Sequence, residues 1–377
     1  MNEWKTVRLG DVCILEKGQQ IDTSLLDDSK PYRYINGGIK ESGYFDNFNT
    51  SGESVLISEG GASCGYINYV NENFWCGCHC YRLHDIKVFP KYLFHALKAN
   101  QQRIMALRTG SAMPNIQKST IQKFELKIHD DSTSQKKVAI MLDKCNELIE
   151  KHKQTLEKYD MLIKSRFIEM FGDPTTNPMN WEIKPMGELL SILTDFSSNG
   201  SYKTLDSNVI MYDEPNYALM IRTTDLESGD FSNNVKWVDE KAYNLLSKSK
   251  VFGNEIIMNK IGSAGKVYLM PELNRPVTLG RNAFLFRYKE SINSVYIYFL
   301  LTSEYGQNEI KPYIRGAVTK TITKDDARKI RIPVPPITLQ NKFATFVQQI
   351  DKSKFAVQKA LEKAETLYKS LMQQYFA

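Results

Sequence analysis

The chain has 377 residues, 42% of them hydrophobic, so it can form two or three packed domains and a disordered protein is excluded. Its net charge of +6 is too small to identify a partner. Six cysteines, three of them crowded at Cys76, Cys78 and Cys80, are typical of a reduced compartment. Neither an apolar leader nor an apolar run of about 18 residues is found. We therefore expect a cytoplasmic protein without a membrane partner.

Residues 1–131 predict a first globular domain of mixed strands and helices. Val55-Leu56-Ile57 indicates a buried strand, because it is an apolar run that ends at the turn Gly60-Gly61. The segment 89–97 predicts a helix that opens with proline near its first position. Strand and helix patterns together favour an α+β domain.

Residues 132–172 predict one long helix that acts as a spacer. Mostly apolar residues recur at a mean spacing of about 3.5 from Val138 to Met170, which is typical of a coiled-coil seam. Gly172 and Pro174 end the helix. At 1.5 Å per residue, about 36 residues form a helix of roughly 54 Å.

The remaining chain repeats this organisation, with a second globular domain at 173–336 and a second long helix at 337–377. The spacing between matched segments grows along the domains, which indicates longer loops in the second one. The matched segments are 4–11 and 181–188, 35–38 and 221–224, 52–58 and 253–259, 110–116 and 316–322, and, in the helices, 134–139 and 339–344, 162–165 and 367–370. We predict an α+β fold in which two long antiparallel helices, forming a coiled coil, separate two pseudo-symmetric mixed α/β domains.

Motifs for catalysis and metal binding are missing or incomplete. The segment 262–267 resembles a phosphate-binding loop, but Lys260 and Val267 stand where that loop needs a glycine and a hydroxyl. The cysteines at 76–80 are spaced too closely for an ordinary zinc site, and small apolar residues on an interior strand are the simpler interpretation. The sequence has neither a nucleotide-binding glycine turn nor an Asp/Asn-Pro-Pro-aromatic motif. We predict no catalytic residue, metal or cofactor in this chain.

Two basic segments precede the long helices at equivalent places. Residues 98–127 carry six lysines and arginines against one glutamate, and residues 311–331 carry seven against two aspartates. Duplicated basic segments indicate paired surfaces that contact phosphates. The alternative for either segment alone is a solvated charged face.

Several of these features resemble the specificity subunits of type I restriction-modification systems. The resemblance rests on the order of two domains, each followed by a repeated helix, and on the segments 110–116, 221–226 and 332–336 leading to Gln340. It extends over nearly the whole chain. One departure is that residues 126–130 lack the prolines found at 333–336.

The resemblance implies a non-catalytic subunit that binds double-stranded DNA. Each globular domain would be a target-recognition domain that reads one half of a split site, and the helices would set the unread gap. A helix of roughly 54 Å suits grooves roughly 34 Å apart. The family further implies two methyltransferase subunits, which bind S-adenosylmethionine, and a translocating restriction subunit. Exposed apolar residues of the helices, such as Phe167 and Met372, would contact the methyltransferase.

Candidate DNA-binding residues come from the matched positions and from the loops before the long helices, with Lys260 and Arg281 as further candidates, because Arg, Lys, Asn and Thr side chains contact bases and phosphates. They are Arg33, Asn36, Arg108, Lys118, Arg222, Thr223, Thr224, Lys260, Arg281, Arg315, Lys320 and Lys324. Two other classes of protein stay open at this point. One is a self-sufficient modification or restriction enzyme, which the missing motifs oppose, and the other is a coiled-coil scaffold that does not bind DNA.

Overall fold

The computed structural model describes residues 4–110 and 112–376 and divides into two compact units. Unit 1 comprises residues 1–156 and 356–377, and unit 2 comprises residues 157–355. Each unit therefore contains one globular region and part of both long helices. Ser111, which belongs to a segment that carries the family resemblance, lies outside the described residues, as do residues 1–3 and 377.

The predicted helices and strands are present among the described residues. The α-helices are α1 (Leu9–Val12), α2 (Pro90–Ala99), α3 (Gln101–Met105), α4 (Lys118–Gln122), α5 (Ser132–Phe171), α6 (Met186–Leu189), α7 (Tyr202–Asn208), α8 (Thr223–Ser228), α9 (Glu240–Leu245), α10 (Ser294–Thr302), α11 (Glu304–Ile310), α12 (Lys324–Arg328) and α13 (Ile337–Phe376). The strands are β1 (Trp4–Arg8), β2 (Ile14–Lys17), β3 (Tyr32–Ile35), β4 (Tyr44–Phe45), β5 (Ser54–Ser58), β6 (Ile67–Val70), β7 (Trp75–Cys76), β8 (Cys80–His84), β9 (Glu125–His129), β10 (Glu182–Pro185), β11 (Leu190–Asp195), β12 (Ala218–Ile221), β13 (Lys236–Val238), β14 (Lys250–Val251), β15 (Ile256–Asn259), β16 (Val267–Leu269), β17 (Val277–Leu279), β18 (Ala283–Tyr288) and β19 (Arg331–Val334).

The sheets of the two units have matching strand orders. Unit 1 has sheets β1-β9, β2-β8-β5-β6 and β4-β3-β7, and unit 2 has sheets β10-β19, β11-β18-β15-β16 and β13-β12-β17-β14. The parallel pair β3–β7 corresponds to the parallel pair β12–β17. Unit 2 adds α7, α8, α9 and β14, so its predicted longer loops are confirmed. The predicted pseudo-symmetric α+β architecture is confirmed as well.

The long helices pack against each other in opposite directions. In unit 1, Val138 and Leu142 near the start of α5 share a core with Phe376 at the end of α13. In unit 2, Phe171 at the end of α5 shares a core with Phe343 near the start of α13. Every predicted seam residue is buried or half-buried. The apolar stripe thus accounts for the pairing of the helices, and the shared cores show that the pairing is antiparallel.

A buried glutamine fixes the first turn of each long helix to its unit. The Gln135 side chain accepts a hydrogen bond from Phe89 N at 3.0 Å and donates one to His129 O at 2.7 Å. Gln340 likewise accepts from Asn293 N and donates to Pro335 O, both at 2.8 Å. Both side chains are almost fully buried, so these bonds satisfy buried or partly buried backbone groups.

The segment without prolines at 126–130 forms the same structure as its proline-rich counterpart. Residues 126–129 lie in β9, which pairs antiparallel with β1, just as β19 pairs antiparallel with β10. The helix α5 then begins at Ser132 and α13 at Ile337. The prolines are therefore not required for the strand that leads into the helix.

Candidate nucleic-acid interface

Most of the predicted DNA-binding residues lie in or beside two equivalent groups of loops. Loop cluster 1, in unit 1, comprises residues 36–38, 59–63, 77–79, 109–110 and 112–117. Loop cluster 2, in unit 2, comprises residues 222–224, 260–265, 280–282 and 315–322. Both follow the ends of strands in the parallel-paired and four-stranded sheets.

Equivalent backbone hydrogen bonds hold the two clusters together. In loop cluster 1 they run from Gly77 N to Ile35 O (2.8 Å), Glu59 N to His79 O (2.8 Å), Ile116 N to Glu59 O (2.9 Å) and Gly61 N to Pro114 O (2.9 Å). In loop cluster 2 they run from Gly280 N to Ile221 O (2.7 Å), Lys260 N to Asn282 O (2.9 Å), Ile322 N to Lys260 O (3.0 Å) and Gly262 N to Lys320 O (3.0 Å). These bonds define equivalent positions, and they align Glu59 with Lys260.

Loop cluster 1 surrounds a cleft of about 410 Å³. Asn36 lies in its wall, where its Oδ1 accepts a hydrogen bond from His79 N at 3.1 Å. Glu59 also lines the cleft, and its carboxylate is 2.8 Å from the Lys17 ammonium and 3.7 Å from the His79 ring. Ser63 and Asn115 add further polar groups. The cleft can therefore both donate and accept hydrogen bonds.

The other predicted DNA-binding residues of unit 1 differ in whether their side chains already form ion pairs or hydrogen bonds. Arg33, in β3, forms ion pairs with Glu41 and Glu72. Arg108 and Lys118 are exposed, and their side chains have no ion pair or hydrogen bond with the described part of the chain. Of the three cations, Arg108 and Lys118 are thus the ones available for phosphates.

A carboxylate beside loop cluster 2, at the end of β11, joins two of the predicted cations of unit 2. Asp195 binds Lys260 at 2.8 Å and Lys324 at 2.7 Å, and Lys324 also donates to Ser198 at 2.6 Å. Burial by itself raises the pKa of Asp195, but hydrogen bonds from Lys260, Lys324 and Ser198 outweigh it and lower the pKa to about 2. Both lysines are thus held close to a fixed negative charge.

Arg222 and the two threonines after it form the start of α8. Arg222 donates to the Asp225 carboxylate through Nε at 3.1 Å and Nη2 at 2.7 Å. This hydrogen bonding to Asp225 raises the pKa of Arg222. Thr223 is half-buried, whereas Thr224 is exposed. The Arg222 side chain therefore stabilises the turn, and Thr224 offers a hydroxyl at the surface.

The remaining predicted cations of unit 2 belong to loop cluster 2. Arg281 pairs with Asp206 at 2.6 Å and lies over the Phe196 ring. Arg315 pairs with Asp326 at 3.1 Å although its side chain is 69% exposed. Lys320 is exposed, with no side-chain partner within the described ranges. Like Lys118 in unit 1, Lys320 is available to a phosphate.

The expectation that Phe167 is exposed is wrong. Its side chain is 4% exposed and packs against Tyr296, Phe171 and Phe343 in the core of unit 2. Met372 is half-buried and packs against the core of unit 1. Other apolar residues of the long helices are exposed instead: Ile140, Leu148, Met161, Leu162 and Ile168 on α5, and Phe355 and Leu367 on α13.

Sequence reasoning missed the two charged pairs, Lys17–Glu59 and Asp195–Lys260. The matched segments 52–58 and 253–259 end one residue before Glu59 and Lys260. Extending the match by one residue aligns Glu59 with Lys260 and shows that their charges are opposite. Lys17 and Asp195 are harder to align, because a register shift in β11 near Leu190 changes the offset between β2 and β11.

In the described part of the chain, neither a metal site at the cysteines nor a membrane-spanning helix is found. Cys76 and Cys80 are buried together in a small apolar core, as interior strand residues, whereas Cys78 is half-buried and lies 2.9 Å from Gln20 Oε1. Within residues 4–110 and 112–376, no group of three or more His, Cys, Asp or Glu residues could hold a metal ion. Over the same ranges, no helix is both long and apolar enough to span a membrane.

Comparison with known proteins connects this architecture to one family. The family model described as "type I restriction modification DNA specificity domain" matches residues 1–158 and 178–365. A Mycoplasma genitalium protein named as a type I specificity subunit is 23% identical over 99% of this chain and 94% of its own length. The MjaVIII specificity subunit of Methanocaldococcus jannaschii is 20% identical over 98% of this chain and 91% of its own length.

Solved structures show the same fold. The crystal structure of a type I restriction-modification S subunit from M. genitalium superposes with a TM-score of 0.72, at 20% identity, over 99% of this chain and 96% of that one. A chain from a study of complex assembly in the type I restriction-modification system superposes with a TM-score of 0.53, at 14% identity, over 100% of this chain and 98% of that one.

Proposed function

Since this chain belongs to the type I restriction-modification DNA specificity family, we propose that units 1 and 2 each read one half of a gapped, bipartite DNA site. The observation that carries this proposal is the repeated frame of loop clusters 1 and 2. The frame presents different side chains at equivalent positions, so two half-sites of different sequence can be read by one architecture. The chain itself performs no catalysis in this proposal.

Exposed cations at the loop clusters would fix the position of the protein on the phosphates. Arg108 and Lys118 in unit 1 and Lys320 in unit 2 have no acidic partner in the described ranges, and Arg315 is largely exposed. Cations of this kind supply affinity without sequence preference. The polar residues inside the loop clusters would then supply the preference for bases.

The long helices would set the unread gap and bind the partner subunits. Several apolar side chains are exposed along α5 and α13, among them Met161 and Leu367, and a protein partner on the helices would cover them. We assign this partner as two methyltransferase subunits, which supply S-adenosylmethionine chemistry, and a translocating restriction subunit would join them. The complex would act on DNA in the cytoplasm.

The test is to co-purify the chain with its methyltransferase subunits and to map methylated sites across a genome. We expect a gapped, asymmetric motif that disappears when the chain is omitted. Methylation by the purified chain alone would instead indicate a self-sufficient enzyme. No salt-dependent binding of a duplex by the complex would indicate a scaffold that does not bind DNA.

A further inference from the structure

The two units carry the same ion pair with its polarity reversed. Lys17 on β2 pairs with Glu59 at 2.8 Å, and Asp195 on β11 pairs with Lys260 at 2.8 Å. The strand registers confirm the equivalence, since Lys17 lies opposite Tyr81 of β8 and Asp195 lies opposite Phe284 of β18. The acidic member therefore comes from the loop in unit 1 and from the strand in unit 2.

Because the ion pair is reversed, the two loop clusters carry different chemical groups at the equivalent loop position. In unit 1 the loop residue Glu59 places a carboxylate in the wall of the cleft. In unit 2 the equivalent Lys260 is 13% exposed and is bound to Asp195, which also binds Lys324. Loop cluster 1 thus has an acceptor where loop cluster 2 has a cation that is already paired.

The Glu59 carboxylate has capacity left for a further hydrogen bond. An ionised carboxylate offers about four acceptor positions. Lys17 Nζ occupies one at 2.8 Å, and the His79 ring, at 3.7 Å, lies beyond hydrogen-bond distance. Lys17 holds the carboxylate in place, and Glu59, which lines the cleft, keeps acceptor capacity for a further partner.

Asn36 supplies a donor beside this acceptor. Its Oδ1 is bound to His79 N, so the side chain has a fixed orientation, and its Nδ2 makes no hydrogen bond with the described residues. An acceptor and an amide donor in one cleft match the edge of a base in the major groove. Glutamate accepts from the amino group of cytosine, and asparagine pairs with adenine.

We propose that Glu59 determines specificity in the half-site read by unit 1 by accepting a hydrogen bond from the exocyclic amino group of a base, either N4 of cytosine or N6 of adenine. Lys17 is a positioning residue that orients the carboxylate. This inference rests on the proposed function. In unit 2, Lys260 and Asp195 hold the loop in place and make no such contact.

The competing explanation is that the Lys17–Glu59 ion pair has a purely structural role. Exchanging the two charges distinguishes this explanation from a role in specificity. The double variant Lys17→Glu/Glu59→Lys keeps an ion pair between the same positions but removes the acceptor from the loop. Glu59→Gln keeps the size of the side chain and replaces one acceptor oxygen by a donor. Glu16→Gln is the matched control, because Glu16 pairs with Arg82 in the same sheet but does not line the cleft.

The experiment reconstitutes each variant with its methyltransferase subunits and selects bound duplexes from a library randomised on both sides of the gap. For Glu59→Gln and the double variant, we expect at least about a tenfold loss of preference at one position, cytosine or adenine, of one half-site. The other half-site and the gap should be unchanged, and Glu16→Gln should select the wild-type site.

Two outcomes would overturn the inference in distinguishable ways. If the wild-type complex selects a gapped site and the double variant selects the same one, Glu59 has only a structural role and the proposed function still stands. If the wild-type complex selects no sequence, the proposed function fails and this inference fails with it. Circular dichroism of each variant, compared with wild type, shows that it is folded.

Discussion

Loop clusters 1 and 2 have the same backbone frame but opposite charges at its centre. The frame depends on hydrogen bonds between main-chain atoms, which are insensitive to side-chain identity, so it persists while the side chains differ. Glu59 in one cluster is a loop acceptor beside a cleft, and Lys260 in the other is part of a network around Asp195. A common frame thus places two chemically different surfaces, which is what reading two different half-sites requires.

The largest difference between the clusters is expected in stability. Asp195→Asn removes the charge shared by Lys260 and Lys324, and breaking such a largely buried pair should cost about 3 kcal/mol in the free energy of unfolding. Glu59→Gln should cost at most about 1 kcal/mol, because the Lys17 side chain is 51% exposed and water can solvate it. Urea unfolding measures both, and equal losses would contradict the contrast.

The same network should make unit 2 sensitive to strong acid. Asp195 has a pKa lowered from 3.8 to about 2 in the folded chain, so its stabilisation is complete above pH 3.8 and is lost as the pH falls towards 2. The amount lost is about 2 kcal/mol. Subtracting the unfolding free energies of Asp195→Asn from those of wild type across this pH range isolates the effect. A difference that does not change with pH would contradict the lowered pKa of Asp195.

The buried Gln135 and Gln340, by contrast, should contribute equally to the stability of the two units. Gln135→Ala and Gln340→Ala each leave a buried backbone N–H and C=O without a partner, which should cost about 2 kcal/mol. Gln358→Ala, on the exposed surface of α13, is the control and should cost less than about 0.5 kcal/mol. Chemical denaturation measures all three. A large loss of stability for only one of Gln135→Ala and Gln340→Ala would show that the two glutamines are not equivalent.

The smallest effects are expected for the exposed cations and should also be equal in the two units. Lys118→Gln and Lys320→Gln should each reduce the slope of log affinity against log salt by about 0.9, because each removes one phosphate contact. The sequence preference should not change. Lys241→Gln, an exposed lysine of α9 outside the loop clusters, should leave the slope unchanged. Salt titrations of DNA binding by the reconstituted complex provide the measurement.

The helices and the repeat were predictable from the sequence, because both depend on local patterns. The seam from Val138 to Met170 is buried or half-buried at every predicted position, and the match of 35–38 with 221–224 is confirmed by the bonds from Gly77 and Gly280. Phe167 is buried although the sequence predicts it to be exposed, because it lies outside the 3.5-residue seam and is covered by Tyr296 of α10. That contact cannot be read from helix periodicity.

The charges of the loop clusters were less predictable, because their partners are distant in the chain. Lys324 is a positive residue at a repeated position and Lys260 is a further candidate, yet both bind Asp195, which precedes them by 65 and 129 residues. Arg222 was chosen in the same way and is bound to Asp225. Their contacts with DNA stay predictions, and the exposed Arg108, Lys118 and Lys320 are the stronger candidates for phosphates.

Exchanging one loop between the clusters tests most directly whether each cluster reads its own half-site. Residues 109–115 and 315–321 have the same length and are closed by equivalent bridges, Thr109 with Asn115 and Arg315 with Thr321. A chain carrying 315–321 in place of 109–115 is reconstituted with its methyltransferase subunits, and its methylation motif is mapped. We predict that one half of the motif changes while the other half and the gap are retained. A change in both halves, or in neither, would contradict the account.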